Sequence, residues 1–498
     1  MLIKNYKKLV FLVMLAFTLS GTFLFTPLAN AQVNVTSDTP AVGFDSTLQP
    51  PNWHVSAYWN TNAPTAVPGK LNVTYNGSTF QADGVTLSSS TYGYGAYSTS
   101  VNLIPNTPYV MSGYVKATNI EINPGHLGYS NKGPFGFSRF DNINQQSNSK
   151  TYTAQLLNGT NSTDGWIKLD FHFISSSSGL TYLDCNLGGY CCDTKGTVEF
   201  AGLTLKQDSS YKTVSHSDFV AAVPVSQLVD YSVSDSALDS WGSKLNGATQ
   251  KLKELTGIND STRISQIYML NDTALEEQTK VDFAYAGIPC IFSAAASNFT
   301  FHYAVNQDAV EHSQLHELGH TYNTDHNRIW NFNDEVFANV RAAYTAVQNN
   351  IKVRFWTTDT SNIPTYQGIG YKQFYDSKLA EYISNPTENT KGYELFATAG
   401  IYLRMVYGDA SAGLPPLGWN TLKTFFTNGT STSYNPTSGI YLDPNRGYSS
   451  DFKVFTQSLN IIAQITGKSA SDIANYVPNG FYWKWYNNPS QYPFTSIN

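Results

Sequence analysis

His316-Glu317-Leu318-Gly319-His320 is the stretch whose reading organises the chain. On a helix, residues i and i+4 lie on one face, one turn apart. Two imidazoles at that spacing can reach one zinc ion, and Glu317 between them can polarise a metal-bound water. Leu315 and Leu318 fall on the other side, where a core would be. The reaction such a pattern serves is metal-assisted hydrolysis of a peptide bond.

The flanks extend this picture. Phe299-Thr300-Phe301-His302-Tyr303-Ala304-Val305 has apolar residues at every second position, which predicts a strand with one buried face. Ala309 to Tyr322 reads as the metal helix. A substrate peptide would lie extended along the strand, against residues such as Phe301, by main-chain hydrogen bonds. His312, one turn before His316, is a candidate for the cleft wall.

A catalytic zinc takes three protein ligands and leaves a position for water. Two residues compete for the third place. His326 stands six residues after His320, at the metzincin spacing HExxHxxGxxH, with Asn323 in the glycine position. Asparagine tolerates the left-handed turn that the glycine would make. The rival is Glu335, at the start of a stretch in which Val336, Val340 and Ala343 recur at helical spacing. Tyr344 in the same stretch is a candidate donor to the oxyanion of a tetrahedral intermediate.

The pattern His316-Glu317-x-Gly319-His320, followed by Glu335-Val336-x-x-Asn339, resembles the enhancin-type zinc metallopeptidases, a family directed at mucins and other O-glycoproteins. Tyr285-Ala286-Gly287-Ile288-Pro289 is similar to that family's Ala-Gly-Tyr-Pro stretch, with Ile288 in place of tyrosine. The resemblance covers about residues 211–498. It implies zinc held by His316, His320 and Glu335, catalysis by Glu317, a substrate-side place for Gly287, and glycoprotein substrates. It favours Glu335 over His326.

The N-terminus reads as a secretory signal. Lys4, Lys7 and Lys8 precede an apolar run from Leu9 to Phe25, and Ala29-Asn30-Ala31 is a small-residue cleavage site. Cleavage after Ala31 removes three lysines and no acid, moving the formal net charge from −6 to about −9. An acidic surface argues against nucleic-acid partners. No later run is long and apolar enough to span a bilayer, so the expected product is secreted and extracellular. Four cysteines, Cys185, Cys191, Cys192 and Cys290, allow three disulfide pairings in an exported chain.

Two halves with different grammar follow the signal. Residues 32–206 show short alternating runs, such as Tyr109–Val115, Trp166–Phe173 and Thr197–Leu205, separated by Asn, Gly, Pro and Ser. They predict an all-β sandwich. The order of these strands resembles jelly-roll carbohydrate-binding modules, which implies a glycan ligand. Aromatics that stack on sugar faces would then come from Trp53, Trp59, Tyr92 and Tyr94. From residue 211 to 498 the chain reads as an α+β peptidase domain with a mainly helical C-terminal part. Its first helix is marked by Leu238, Trp241, Leu245, Ala248, Leu252 and Leu255, with Gly257 as the stop. The competing functions are a general extracellular protease using His326 and a non-catalytic mucin-binding adhesin.

Overall fold

The computed structural model describes residues 53–57, 62–123, 134–140, 162–188, 193–258, 263–270, 284–286, 289–293, 301–322, 334–355, 365–384, 391–428, 449–479 and 481. The signal segment, Trp59, Cys191, Cys192, Gly287 and His326 lie outside these residues. The architecture is mixed, with antiparallel and mixed sheets followed by a helical region.

The first half is built from β1 (His54–Ala57), β2 (Thr65–Tyr75), β3 (Ser78–Gly93), β4 (Gly95–Asn102), β5 (Pro108–Ile122), β6 (Phe135–Phe140), β7 (Ile167–Ile174), β8 (Leu180–Leu187) and β9 (Thr194–Gln207). They form two antiparallel sheets, β1-β4-β8-β6 and β2-β3-β9-β5-β7. Alternation decides which side chains meet between them. Leu169, Phe171 and Phe173 of β7 and Tyr97, Val101, Leu183 and Cys185 of the smaller sheet share one core. The β2–β3 hairpin turns through Asn76 and Gly77, both at positive φ (48° and 76°), as a two-residue turn matched to strand twist requires.

A third sheet opens the second half: β10 (Tyr211–Ser215), β11 (Phe219–Pro224), β12 (Ser265–Met269), β13 (Ala284–Tyr285) and β14 (Cys290–Phe292), in the order β10-β11-β12-β14-β13. Its three central strands are parallel. The crossover from β11 to β12 runs through α1 (Val225–Asp230) and α2 (Asp235–Thr256). In α2 the six apolar residues at helical spacing are all buried. Ser234 Oγ caps the helix by accepting from the Ala237 amide at 3.1 Å, and Gly257 ends it in the left-handed region at φ 70°. The sheet is buried on both faces. Phe219, Ala221, Val223, Ile267, Met269, Cys290 and Phe292 meet the helices. The residues between them, Val220, Ala222, Tyr268, Leu270 and Ile291, join the sandwich core.

One element differs from the sequence-based expectation. Residues 301–306 are not a strand: α3 spans His302–Asn306, with Phe301 at its N-terminal cap. Phe301, Ala304 and Val305 are buried while Tyr303 is exposed, so the apolar face follows i, i+3, i+4 rather than alternation. A two-residue strand, β15 (Val310–Glu311), then leads into α4 (His312–Thr321). β15 pairs in parallel with β16 (Lys352–Arg354), which pairs with β17 (Thr365–Gln367). The remaining helices are α5 (Asp334–Gln348), α6 (Ile369–Ser384), α7 (Lys391–Tyr407), α8 (Trp419–Asn428), α9 (Ser449–Thr466) and α10 (Ala470–Ala474). Among the described residues no helix is long and apolar enough to cross a membrane.

Candidate metal centre

Two helices bring the metal-binding groups together. α4 starts on a capping box in which Glu311 accepts from the Gln314 amide and the Gln314 side chain accepts from the Glu311 amide at 3.1 Å. Leu315 and Leu318 are buried, as their place on the helix requires. Gly319 is where α5 crosses: a Cβ there would stand 2.9 Å from the Ala338 carbonyl oxygen, so only glycine lets the helices come this close. At the far end, the buried Arg341 guanidinium donates to the Gly319 carbonyl at 3.2 Å, a favourable charge at a helix C-terminus.

On the cleft side, His316 Nε2 and His320 Nε2 stand 3.0 Å apart. Glu335 Oε2 is 3.0 Å from His316 Nε2, and Glu335 Oε1 is 3.6 Å from His320 Nε2. The three ligand atoms all lie within 4.8 Å of one another. Tetrahedral zinc with bonds of about 2.0–2.1 Å places its donors about 3.3 Å apart, so the triangle has the dimensions such an ion requires. Two imidazoles and a carboxylate are also the right donor chemistry. Burial opposes the charge on Glu335, but the neighbouring imidazoles of His320 and His316 outweigh it and hold the carboxyl well below the usual range. Glu317, half-buried, follows His316 on the same helix.

The other candidates fall into three groups. His312 lies behind the triangle, its ring 5.7 Å from that of His316 and stacked on Phe355 at 4.5 Å. Burial, and secondarily the neighbouring His316, pushes its pKa well below the usual imidazole range. Two residues do not reach the cleft. Tyr344 is nine residues beyond Glu335 on α5, about 13 Å along the axis and on the opposite face. Its hydroxyl donates to Glu254 Oε1 at 3.0 Å and its ring packs on Trp419. Phe301 is buried edge-on against Trp241 at 5.0 Å. With α3 in place of the expected strand, residues 301–306 offer no β-edge for a peptide, and Phe299 and Thr300 lie outside the described residues.

In the sandwich, Tyr94 is only 2% exposed and is part of the interior. Trp53 stacks on the buried Tyr97 at 5.0 Å. Tyr92 remains at the surface, with the Lys195 ammonium 4.9 Å above its ring and its hydroxyl 3.4 Å from Glu121 Oε2. An aromatic group that sequence reasoning missed, Tyr75, Phe80 and Tyr114, meets edge-to-face on the larger sheet at 5.2 Å.

Also missed were the groups that hold α4. Trp241 Nε1 donates to Gln314 Oε1 at 3.0 Å. The buried Arg354 donates to Glu311 Oε1 at 3.2 Å. Burial pushes the Glu311 carboxyl up to about 8, against the pull of Arg354. The pattern Glu311-x-x-Gln314 was a visible signal for the cap; Arg354 and Trp241 had none.

No known family model matches the chain, and no curated protein matches it. Similar solved structures include a mutant of a conserved protein of unknown function from Bacillus anthracis str. Ames, at 10% identity and TM-score 0.35, covering 74% of this chain and 68% of that one. A metallopeptidase in complex with Tn antigen is 10% identical at TM-score 0.31, covering 76% of this chain and 70% of that one. A xylan-binding domain from Paenibacillus barcinonensis is 13% identical at TM-score 0.19, covering 31% of this chain and 92% of that domain.

Proposed function

We propose that this chain is a secreted zinc metallopeptidase that cleaves peptide bonds in mucin-type O-glycoproteins. The observation that carries the reading is the convergence of His316, His320 and Glu335 on one point, with Glu317 on the same helix as the histidines. In it, His316, His320 and Glu335 are the ligands. Zinc held there would supply Lewis acidity, lowering the pKa of a bound water and polarising the scissile carbonyl. Glu317 takes the proton from the attacking water and delivers it to the leaving amine nitrogen. The half-buried His312 and the close α4–α5 contact hold the ligand helix in place rather than take part in the chemistry.

The glycoprotein substrate rests on the resemblance of the His316–His320 and Glu335–Asn339 motifs to enhancin-type peptidases. Export rests on the segment ending at Ala31. A glycan-binding role for the sandwich rests on its two-sheet architecture, and among the described residues Tyr92 and the Tyr75–Phe80–Tyr114 group are aromatics that could serve it.

The test uses zinc-loaded protein with a native mucin and with the same mucin deglycosylated. Wild type is expected to cleave the native form and to stop when a chelator is added. Glu317→Gln should lower turnover by about 10²–10⁴-fold while keeping its zinc. Glu335→Ala should lose zinc where His326→Ala keeps it. Wild-type turnover by Glu317→Gln would sink the catalytic assignment. Zinc loss from His326→Ala alone would move the third ligand, and equal cleavage of both mucins would remove the glycan from the reading.

A further inference from the structure

The third ligand joins the other two across a gap in sequence, so its reach depends on how α5 is held against α4. At one end the helices touch through Gly319 and Ala338. At the other, four polar side chains from three helices form a bridge, with Tyr371, Tyr375 and Asn339 buried and His312 half-buried. His312 is one turn before His316 on α4, and its Nδ1 is hydrogen-bonded to the Tyr371 hydroxyl. The Tyr375 hydroxyl lies 3.4 Å from that of Tyr371, one turn earlier on α6. It is also within donating distance of the Asn339 backbone oxygen (3.2 Å) and Oδ1 (3.3 Å). Asn339 Nδ2 donates at 2.8 Å to the carbonyl of Glu335 itself. Tyr371 and Tyr375 are both 0% exposed.

We propose that Tyr371 and Tyr375 are positioning residues for the metal triangle: their hydroxyls tie His312 on one ligand helix to Asn339 on the other and so set the distance from Glu335 to His316 and His320. The inference rests on the metal-site reading above. Such hydrogen bonds suit this task because a hydroxyl removed here leaves partners unpaired at a bridge whose Tyr375 bonds are all buried, so the helices shift to recover them. Hydrophobic packing of the same rings would hold the helices together without fixing their register. Groups that orient metal ligands from behind typically contribute 10–100-fold to metal affinity.

The experiment compares full-length wild type with Tyr371→Phe, Tyr375→Phe and the double variant. Tyr402→Phe serves as a control, since Tyr402 is equally buried but bonds Ser458 Oγ at 2.6 Å, outside the bridge. Zinc affinity is read by competition with a chromophoric chelator. Ligand geometry is read from the visible absorption of the cobalt-loaded protein, which a purely structural role would leave unchanged. The double variant is expected to bind zinc about 10–100-fold more weakly, with an altered cobalt spectrum. Tyr402→Phe should lower the thermal midpoint while keeping both metal readouts. A double variant with wild-type affinity and spectrum overturns the bridge, as does an equal loss in Tyr402→Phe. If wild type takes up neither metal, the metal-site reading fails and this inference falls with it. If wild type binds and the double variant matches it, only the bridge is wrong.

Discussion

The central sheet has two faces, and they are sealed in different ways. On the helix side, Phe219 of β11 meets the Trp241 ring edge-on at 5.7 Å, Trp241 meets Phe301 at 5.0 Å, and its indole nitrogen donates to Gln314 on α4. Interlocked rings and one buried hydrogen bond therefore lead from the sheet to the helix that carries His316 and His320. On the sandwich side, Val220, Ala222, Leu270 and Ile291 pack into the sandwich core, and Tyr268 ends in a polar cluster with His172 and Asp208. That face joins two halves of the chain but leads to none of the three ligands. The difference teaches that equal burial does not mean equal influence: metal geometry should depend on the first face and attachment of the sandwich on the second.

The largest effect is expected at Phe219. Phe219→Ala empties a site with no exposure, which typically costs about 3–5 kcal/mol. Because Trp241 then loses a neighbour, zinc affinity should fall as well as the urea midpoint. A variant with reduced stability and undiminished zinc affinity would show that Trp241 does not transmit the sheet's position to α4. Ile291→Ala is the matched change on the opposite face, worth about 2–5 kcal/mol. Here zinc affinity should stay at the wild-type value. Equal weakening of zinc binding by both variants would erase the distinction between the faces.

What was legible in the sequence follows the range of the interactions. α2 was readable because its six apolar residues recur every three or four positions and Gly257 follows directly as the stop. The pairing of His316 with His320 was readable for the same reason. Residues 301–305 were not, since five residues of mixed apolar character suit either period and packing against distant groups such as Trp241 and Tyr231 accompanies the helix. Tyr344 failed on helix geometry that the sequence does contain, because nine residues carry it half a turn past the face of Glu335. Tyr371 and Tyr375 were invisible: His312 is 59 residues from Tyr371, and nothing local marks the contact. The sandwich strands were legible but their outward faces were not. Which side of a strand meets solvent depends on its partner's register and on what covers the sheet, so Tyr94 turned out interior and Tyr114 half-buried over Val73, Trp166 and Ala201. The strand at Phe219–Pro224 went unread, although an unbroken apolar run suits a strand covered on both faces; nothing local says that its second cover is the sandwich.

The smallest effect, and the one that isolates the polar seam, is expected at Asp208. Its Oδ2 lies 3.1 Å from His172 Nδ1 and accepts from the Tyr268 hydroxyl at 3.3 Å, while Ser210 donates twice to Oδ1. Burial opposes its charge, but the bonds from His172 and Ser210 prevail and hold the carboxyl below its ordinary value of 3.8. A carboxylate depressed in the folded state adds stability that is fully present above the unfolded pKa and is lost as pH falls through the folded one. Wild type should therefore exceed Asp208→Asn by about 1–2 kcal/mol near neutrality, and the gap should close as pH drops below about 4. Measuring both proteins metal-free removes the contribution of ligand protonation, and taking their difference cancels the other carboxylates. A gap independent of pH would mean that Asp208 holds the seam by shape and not by charge. A gap that also tracked zinc affinity in the loaded protein would tie the sandwich face to the metal after all.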